Sequence, residues 1–250
     1  MPEELVHYAV AESVATITLD SPHNRNALSQ QLVTELVERL ERADADPDAK
    51  VVLVRQAGRV FCSGADLAEA TTVGMEEGAR RIVALQRLVA TMDKPVVVRV
   101  SGAVRAGGIG IVAAADVAIS ADDATFALTE VKLGLAAAII SLTVHARMNP
   151  RAAALTTLGG EVFTGAQAAE YGLVTRAVAA DDLDDAVDTV CAQLATGAVQ
   201  GLRESKRILN ADLVRRIDAL GDDMAALSAR LFASDEAREA MTAFLSRKKS

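Results

Sequence analysis

Val51-Val52-Leu53-Val54, running on through Arg55-Gln56-Ala57-Gly58-Arg59-Val60 to Phe61-Cys62-Ser63-Gly64-Ala65-Asp66, is the stretch on which the fold turns. Its first four residues are a continuous β-branched and apolar run, short enough for a strand covered on both faces. A Gly-containing segment follows to Asp66, a helix is predicted over 76–92, and Lys94-Pro95 leads into a second buried strand over 96–100. Buried strand, loop, helix and buried strand in succession is the pattern of a mixed α/β domain with a largely parallel sheet.

Upstream, two short strands over 5–10 and 14–19 flank the polar Ala11-Glu12-Ser13, a hairpin spacing that Ser21-Pro22-His23-Asn24 ends. Over 29–43 the apolar positions Leu32, Val33, Leu36, Val37 and Leu40 recur at threes and fours behind Ser29, a predicted N-cap, until Asp46-Pro47-Asp48 stops the helix. Downstream, strands are predicted over 116–120 and 124–128 around Ala121-Asp122-Asp123. From Gly134 onward nearly everything reads as helix, at 138–147, 151–158, 165–171, 183–196, 201–216 and 222–244. No repeat, low-complexity linker or charge block divides the chain. The expectation is one unit, with a core over 1–195 and a helical C-terminal portion over 196–250.

The 250 residues suffice for a sizeable core; 51% are hydrophobic, 3% aromatic and none is Trp, so that core is mainly Ala, Val, Leu and Ile. With 26 basic against 34 acidic residues the formal charge is −8, which disfavours a nucleic-acid or anionic-membrane surface; small basic clusters stand at 203–207 and 247–249. Cys62 and Cys191 cannot make a disulfide framework or a four-thiolate metal site, and the N-terminus has no signal-peptide pattern, so a reducing, cytoplasmic setting is predicted. Arg99, Asp116 and Lys132 interrupt the apolar stretches before they reach the roughly 20 residues of a membrane helix, so a soluble protein is expected.

Gly108-x-Gly110-x-x-Ala113, with Glu130 further on, matches a dinucleotide fingerprint, but Ser101 to Ala106 separate the glycines from the strand. Only Gly107 to Ala115 is then left for a crossover helix, shorter than a parallel pair normally needs. A Gly-rich helix start has another use. Its first turn presents unpaired N–H groups and the positive end of the dipole to a negatively charged oxygen. The small-residue loop Phe61 to Leu67 is a second such segment, and two loops after neighbouring strands can each give one N–H to an oxyanion hole or simply be two tight turns. Glu130, flanked by apolar residues, is a candidate for a desolvated general acid/base, or for a helix N-terminal charge. His7, His23 and His145 are scattered and suggest neither a metal site nor a triad, so no metal is expected.

Read together, these segments resemble the crotonase family, the enoyl-CoA hydratase and isomerase superfamily. Phe61-Cys62-Ser63-Gly64-Ala65-Asp66-Leu67 resembles that family's F-C-[SA]-G-A-D-L loop, and Ser101-Gly102-Ala103 through Gly107-Gly108 its N-G-x-x-x-G-G-G segment. Phe126 to Gly134 is similar to F-x-x-x-E-x-x-L-G, Phe163-Thr164-Gly165 to Val174 to F-T-G-x-x-A-x-x-x-G-L-V, and Ser205-Lys206-Arg207 to the S-K-R helix. The resemblance implies a spiral of ββα turns whose C-terminal helices mediate trimer contacts, in a homotrimer or dimer of trimers. It implies an acyl-CoA thioester as substrate, coenzyme A being part of that substrate with no tightly bound cofactor. By the same transfer the N–H groups of Ala65 and Gly107 hold the enolate oxygen and Glu130 is the acid/base. Arg25, Ala27, Ala65, Asp66, Leu67 and Lys206 contact coenzyme A, Arg25 and Lys206 through its phosphates.

The departures from the pattern carry chemistry. Family hydratases commonly hold water between two glutamates, and the first of those positions here is Gly110, leaving Glu130 alone. Ala106 opens the G-G-G run, Ala137-Ala138 replaces P-G, and Arg105 takes a place usually apolar, facing solvent, a neighbouring subunit, or an acyl pocket with a distal carboxylate. One carboxylate suffices to move a proton between two carbons of an enolate, which favours an isomerase, while hydratase is the commoner activity of such chains. A coenzyme A binder without chemistry is the third expectation.

Overall fold

The computed structural model describes residues 3–66, Glu69 and 75–247. β1 (Val6–Ala11) and β2 (Val14–Leu19) form the expected antiparallel hairpin, closed by Glu12 and Ser13 at φ of 50° and 64°, as a two-residue turn between twisted strands requires. In β2 the alternate residues Ala15, Ile17 and Leu19 are buried. α1 (Gln30–Ala45) starts where Ser29 Oγ accepts the Leu32 N–H and buries Leu32, Val33, Leu36 and Leu40 against the hairpin.

From β3 (Val51–Gln56) the chain repeats one motif. Strand β3 is followed by β4 (Val60–Cys62) and α2 (Met75–Thr91); β5 (Val96–Val100) by β6 (Ala103–Arg105) and α3 (Gly107–Ala114); β7 (Val117–Ala121) by β8 (Thr125–Ala127). The first strand of each turn joins one sheet and the second joins another. Among the described residues the larger sheet runs β1-β2-β3-β5-β7-β10 and the smaller β4-β6-β8-β9, where β9 is Phe163–Thr164 and β10 is Arg176–Val178. β3, β5 and β7 are mutually parallel, as are β4, β6 and β8. This is a spiral of ββα turns. It also removes the difficulty over a short crossover, because the connection from β5 to β7 contains β6 as well as α3. Gly102, at φ +72°, makes the corner between β5 and β6, where a Cβ would stand 1.9 Å from the Arg59 carbonyl oxygen; only glycine fits.

Val96, Val97 and Val98 are completely buried, consistent with a sheet covered on both faces. α7 (Leu183–Ala195) packs on β3, β5 and β7. Two short strands interrupt the stretch expected to be helical. β9 pairs antiparallel with β8 and stacks Phe163 on Phe126 at 5.6 Å; β10 pairs parallel with β7. The remaining helices are α4 (Ala138–Arg147), α5 (Pro150–Gly159), α6 (Gly165–Glu170), α8 (Val199–Leu209), α9 (Ala211–Phe232) and α10 (Asp235–Arg247).

The C-terminal helices break elsewhere than expected. The junction of α8 and α9 is Asn210, whose buried amide donates to Ala90 O and Asp116 Oδ1 and accepts from Arg147. Gly221, near the expected break, lies inside α9, where a Cβ would stand 2.9 Å from a methyl of Val83 on α2. Among the described residues no helix is long and apolar enough to cross a membrane.

Candidate active site

Three adjacent parallel strands of the small sheet, β4, β6 and β8, end at the same edge, the edge at which open α/β sheets present their binding groups. Ala65 follows the end of β4, Gly107 the end of β6, and Glu130 the end of β8. Among the described residues, the N–H groups of Ala65 and Gly107 meet no internal acceptor. Gly107 opens α3, so its N–H is one of the orphan donors of a helix start.

One residue holds the two donors in register. The Leu28 N–H donates to Gly64 O at 2.8 Å, and Leu28 bridges to Ala65 in parallel. Its side chain lies against Gly107, where a Cβ would stand 2.6 Å from Leu28 Cδ1. Below it, Asn26 accepts the Ser21 N–H at 2.6 Å and donates to Val60 O, while Ser63 N donates to Arg25 O. Sequence reasoning missed Leu28, and the only signal for it was its place just before the N-cap of α1. Between the strand and Gly107, Ala106 sits at φ 47°, ψ −121°, a conformation that costs a side-chain-bearing residue about 1–3 kcal/mol.

Glu130 is the first residue of a 3₁₀ turn, Glu130–Leu133. Its Oε2 is buried without a hydrogen-bond partner among the described residues. Burial pushes the carboxyl up to about 6, against a smaller opposing effect from its own backbone N–H. Such a group is ionised at neutral pH yet is readily protonated, the property of a general acid/base.

The position at which the sequence comparison expected a second acid is Gly110, and neighbouring side chains fill the space beside it. A Cβ on Gly110 would stand 2.7 Å from Ile140 Cγ2 and 3.1 Å from Gln86 Oε1. Gln86 is wholly buried, donates to Ile82 O and Ile139 O, and accepts from Thr143 Oγ1 at 2.7 Å. Beside Ala65 opens an apolar cleft of about 120 Å³, lined by Leu28, Val33, Ala65, Ile82, Ile139 and Phe232 among others. α9 thus brings Phe232 to a cleft founded on the first half of the chain, a contribution that its distance along the sequence concealed.

Arg25 is exposed at φ 62° on the loop before α1, Ala27 is buried in that loop, and Asp66 lines the cleft, its carboxylate accepting from Asn24 at 3.5 Å. Leu67 and the tail residues Lys248 and Lys249 lie outside the described residues. Lys206 is a correction: it is 4% exposed, and its ammonium is held by Asp116 at 2.9 Å and by Val89 O and Lys94 O at 2.8 Å. Its three donors are spent, so it has none for a phosphate. Arg105 does not line the cleft; its guanidinium donates to Val104 O, Thr125 O and Thr125 Oγ1.

An α/β spiral of ββα turns, with its glycine-rich loops and one buried carboxyl at the small-sheet edge, is the crotonase fold. The structure superposes on that of an enoyl-CoA hydratase from Mycobacterium avium with a TM-score of 0.92, 44% identity and 98% of each chain covered. The chain is 29% identical to the 1,2-epoxyphenylacetyl-CoA isomerase of Escherichia coli, covering 98% of this chain and 97% of that protein. It is 25% identical to the peroxisomal Delta(3,5)-Delta(2,4)-dienoyl-CoA isomerase of Arabidopsis thaliana, covering 98% and 95%. The enoyl-CoA hydratase/isomerase family model matches residues 9–250, and the chain belongs to that family of enzymes.

Proposed function

We propose that the protein moves a proton on an acyl-CoA thioester, with the N–H groups of Ala65 and Gly107 holding the thioester oxygen and Glu130 as the acid/base. Two paired donors stabilise charge that appears on that oxygen only as the α proton leaves, so they lower the barrier more than they tighten binding. The best-supported reaction is a double-bond shift from the 3 to the 2 position. The Glu130 carboxylate takes a proton from C2, the electron pair delocalises onto the thioester oxygen, and the same carboxylic acid returns the proton to C4. Neither water nor a second acid is consumed. The observation that carries this reading is that Gly110 has no side chain and that Ile140 and Gln86 occupy the space a side chain there would take, a Cβ standing 2.7 Å from Ile140 Cγ2.

Hydration is the second reading, favoured by the 44% identity to the Mycobacterium avium hydratase. Glu130 would then both activate the water and deliver the proton. Coenzyme A enters as part of the substrate, with the Arg25 side chain facing its phosphates and the Ala27, Ala65 and Asp66 backbone along it. Val131, Leu155, Leu158 and Val162, apolar yet 42–75% exposed around the Glu130 turn, are the proposed contact between subunits of a trimer. Incubation with a 3-enoyl-CoA and, separately, with crotonyl-CoA tests the reaction. Gain of conjugated-thioester absorbance without a mass change is the expected result; addition of water to crotonyl-CoA without any isomerisation would overturn it.

A further inference from the structure

Arg105, Ala106 and Gly64 form an arrangement that the chemistry above does not use. Arg105 closes β6, and its side chain reaches back to β8, donating to Thr125 O at 2.6 Å, to Thr125 Oγ1 at 3.2 Å and to Val104 O at 2.8 Å. It therefore ties the strand that launches Gly107 to the strand that launches Glu130. The next residue, Ala106, has the φ of 47° that side chains resist. Its methyl lies over Gly64, so close that a Cβ on Gly64 would stand 2.9 Å from it. Gly64 carries the peptide whose N–H belongs to Ala65. One disfavoured residue thus touches both donor loops, and the arginine beside it is fastened by a fork of three hydrogen bonds.

We propose that Arg105 is a positioning residue for the carbonyl-binding pair: its grip on Thr125 keeps Ala106 in the conformation that aims the Gly107 N–H and seats the Gly64 loop. Without the grip, the peptide between Arg105 and Gly107 relaxes toward an ordinary conformation and turns one donor away from the oxygen. The acyl-pocket placement of this arginine loses its basis, because three of its donors are engaged within the small sheet and it does not line the apolar cleft. The inference rests on the thioester reading.

The test uses a chromophoric aryl-enoyl-CoA, whose absorbance moves to the red when its carbonyl is polarised by hydrogen bonds, together with kcat and KM on the reactive substrate. Arg105→Leu is expected to lose most of the red shift and about tenfold to hundredfold in kcat, as for a reacting group misplaced by up to about 1 Å, with KM little changed. Arg105→Lys, which keeps the charge but not the fork, is expected to fall between the two and stands in if Arg105→Leu does not fold. Ala106→Gly added to Arg105→Leu, which frees the backbone to adopt the same conformation without the grip, is expected to restore the red shift. A full red shift in both Arg105 variants, or no recovery in the double variant, overturns the positioning role alone. If the unaltered protein binds the probe without any shift, the donor pair itself is wrong and the positioning role falls with it.

Discussion

Replacing Glu130 by Gln separates stability from turnover in one variant. The carboxyl titrates at about 6 in the fold against an ordinary value of 4.5. Each unit by which a midpoint moves corresponds to about 1.4 kcal/mol, so the ionised form is disfavoured by about 2 kcal/mol. The sign follows from the direction. A carboxyl raised by burial favours the fold while it is neutral, and this contribution is lost as pH rises from 4.5 through 6. The neutral amide does not titrate, so Glu130→Gln is expected to be more stable than the parent at pH 7.5 and nearly equal to it at pH 4.5. Integrating between those pH values, the gap opens by about 1.5 kcal/mol. Urea denaturation of both proteins at several pH values measures it, while turnover at pH 7.5 falls by about 10²–10⁴-fold with thioester binding retained. A stability gap that does not change with pH would refute burial as the cause of the raised midpoint. Retained turnover would refute Glu130 as the base.

Three further outcomes follow from the same geometry. With the ionised Glu130 carboxylate as the proposed base, kcat/KM should rise with pH through about 6 and level off above it, and a flat profile between pH 5 and 7 would count against this. Gly110→Glu should not create a two-acid site, because its Cβ would stand 2.7 Å from Ile140; overpacking of this kind costs about 1–3 kcal/mol, measurable by thermal denaturation, and hydration of crotonyl-CoA should not increase. Lys206→Met should cost about 3–5 kcal/mol by leaving Asp116 without its buried cation, while the dissociation constant for a coenzyme A thioester measured on the folded fraction stays the same.

Elements with strong periodicity were legible: α1 from its threes and fours behind Ser29, β3 and β5 from unbroken Val-rich runs. The small sheet was not, because Val60–Cys62 and Ala103–Arg105 are three residues each, too short for any alternation to register. That omission left the spiral legible only through the family resemblance and made the crossover through α3 look too short. At the site, the loops and Glu130 stood out because small residues and an acid among apolar neighbours are unusual. Leu28 did not, because its role lies in joining two loops far apart in sequence. Lys206 was expected at the coenzyme A phosphates, since no local pattern announces that the Val89 and Lys94 carbonyls and Asp116 converge on one ammonium. Asn210 ended a helix for the same non-local reason.

The repeating turn has a consequence for how such a site changes over generations. Each winding delivers one of the proposed groups to the same rim, Ala65 from the first, Gly107 from the second, Glu130 from the third. A substitution away from the Leu28, Arg105 and Ala106 contacts that join the windings alters one group and leaves the delivery of the others in place. The space at Gly110 can be filled by Ile140 from α4 while the Gly107 amide, three residues earlier on the same helix, keeps its place.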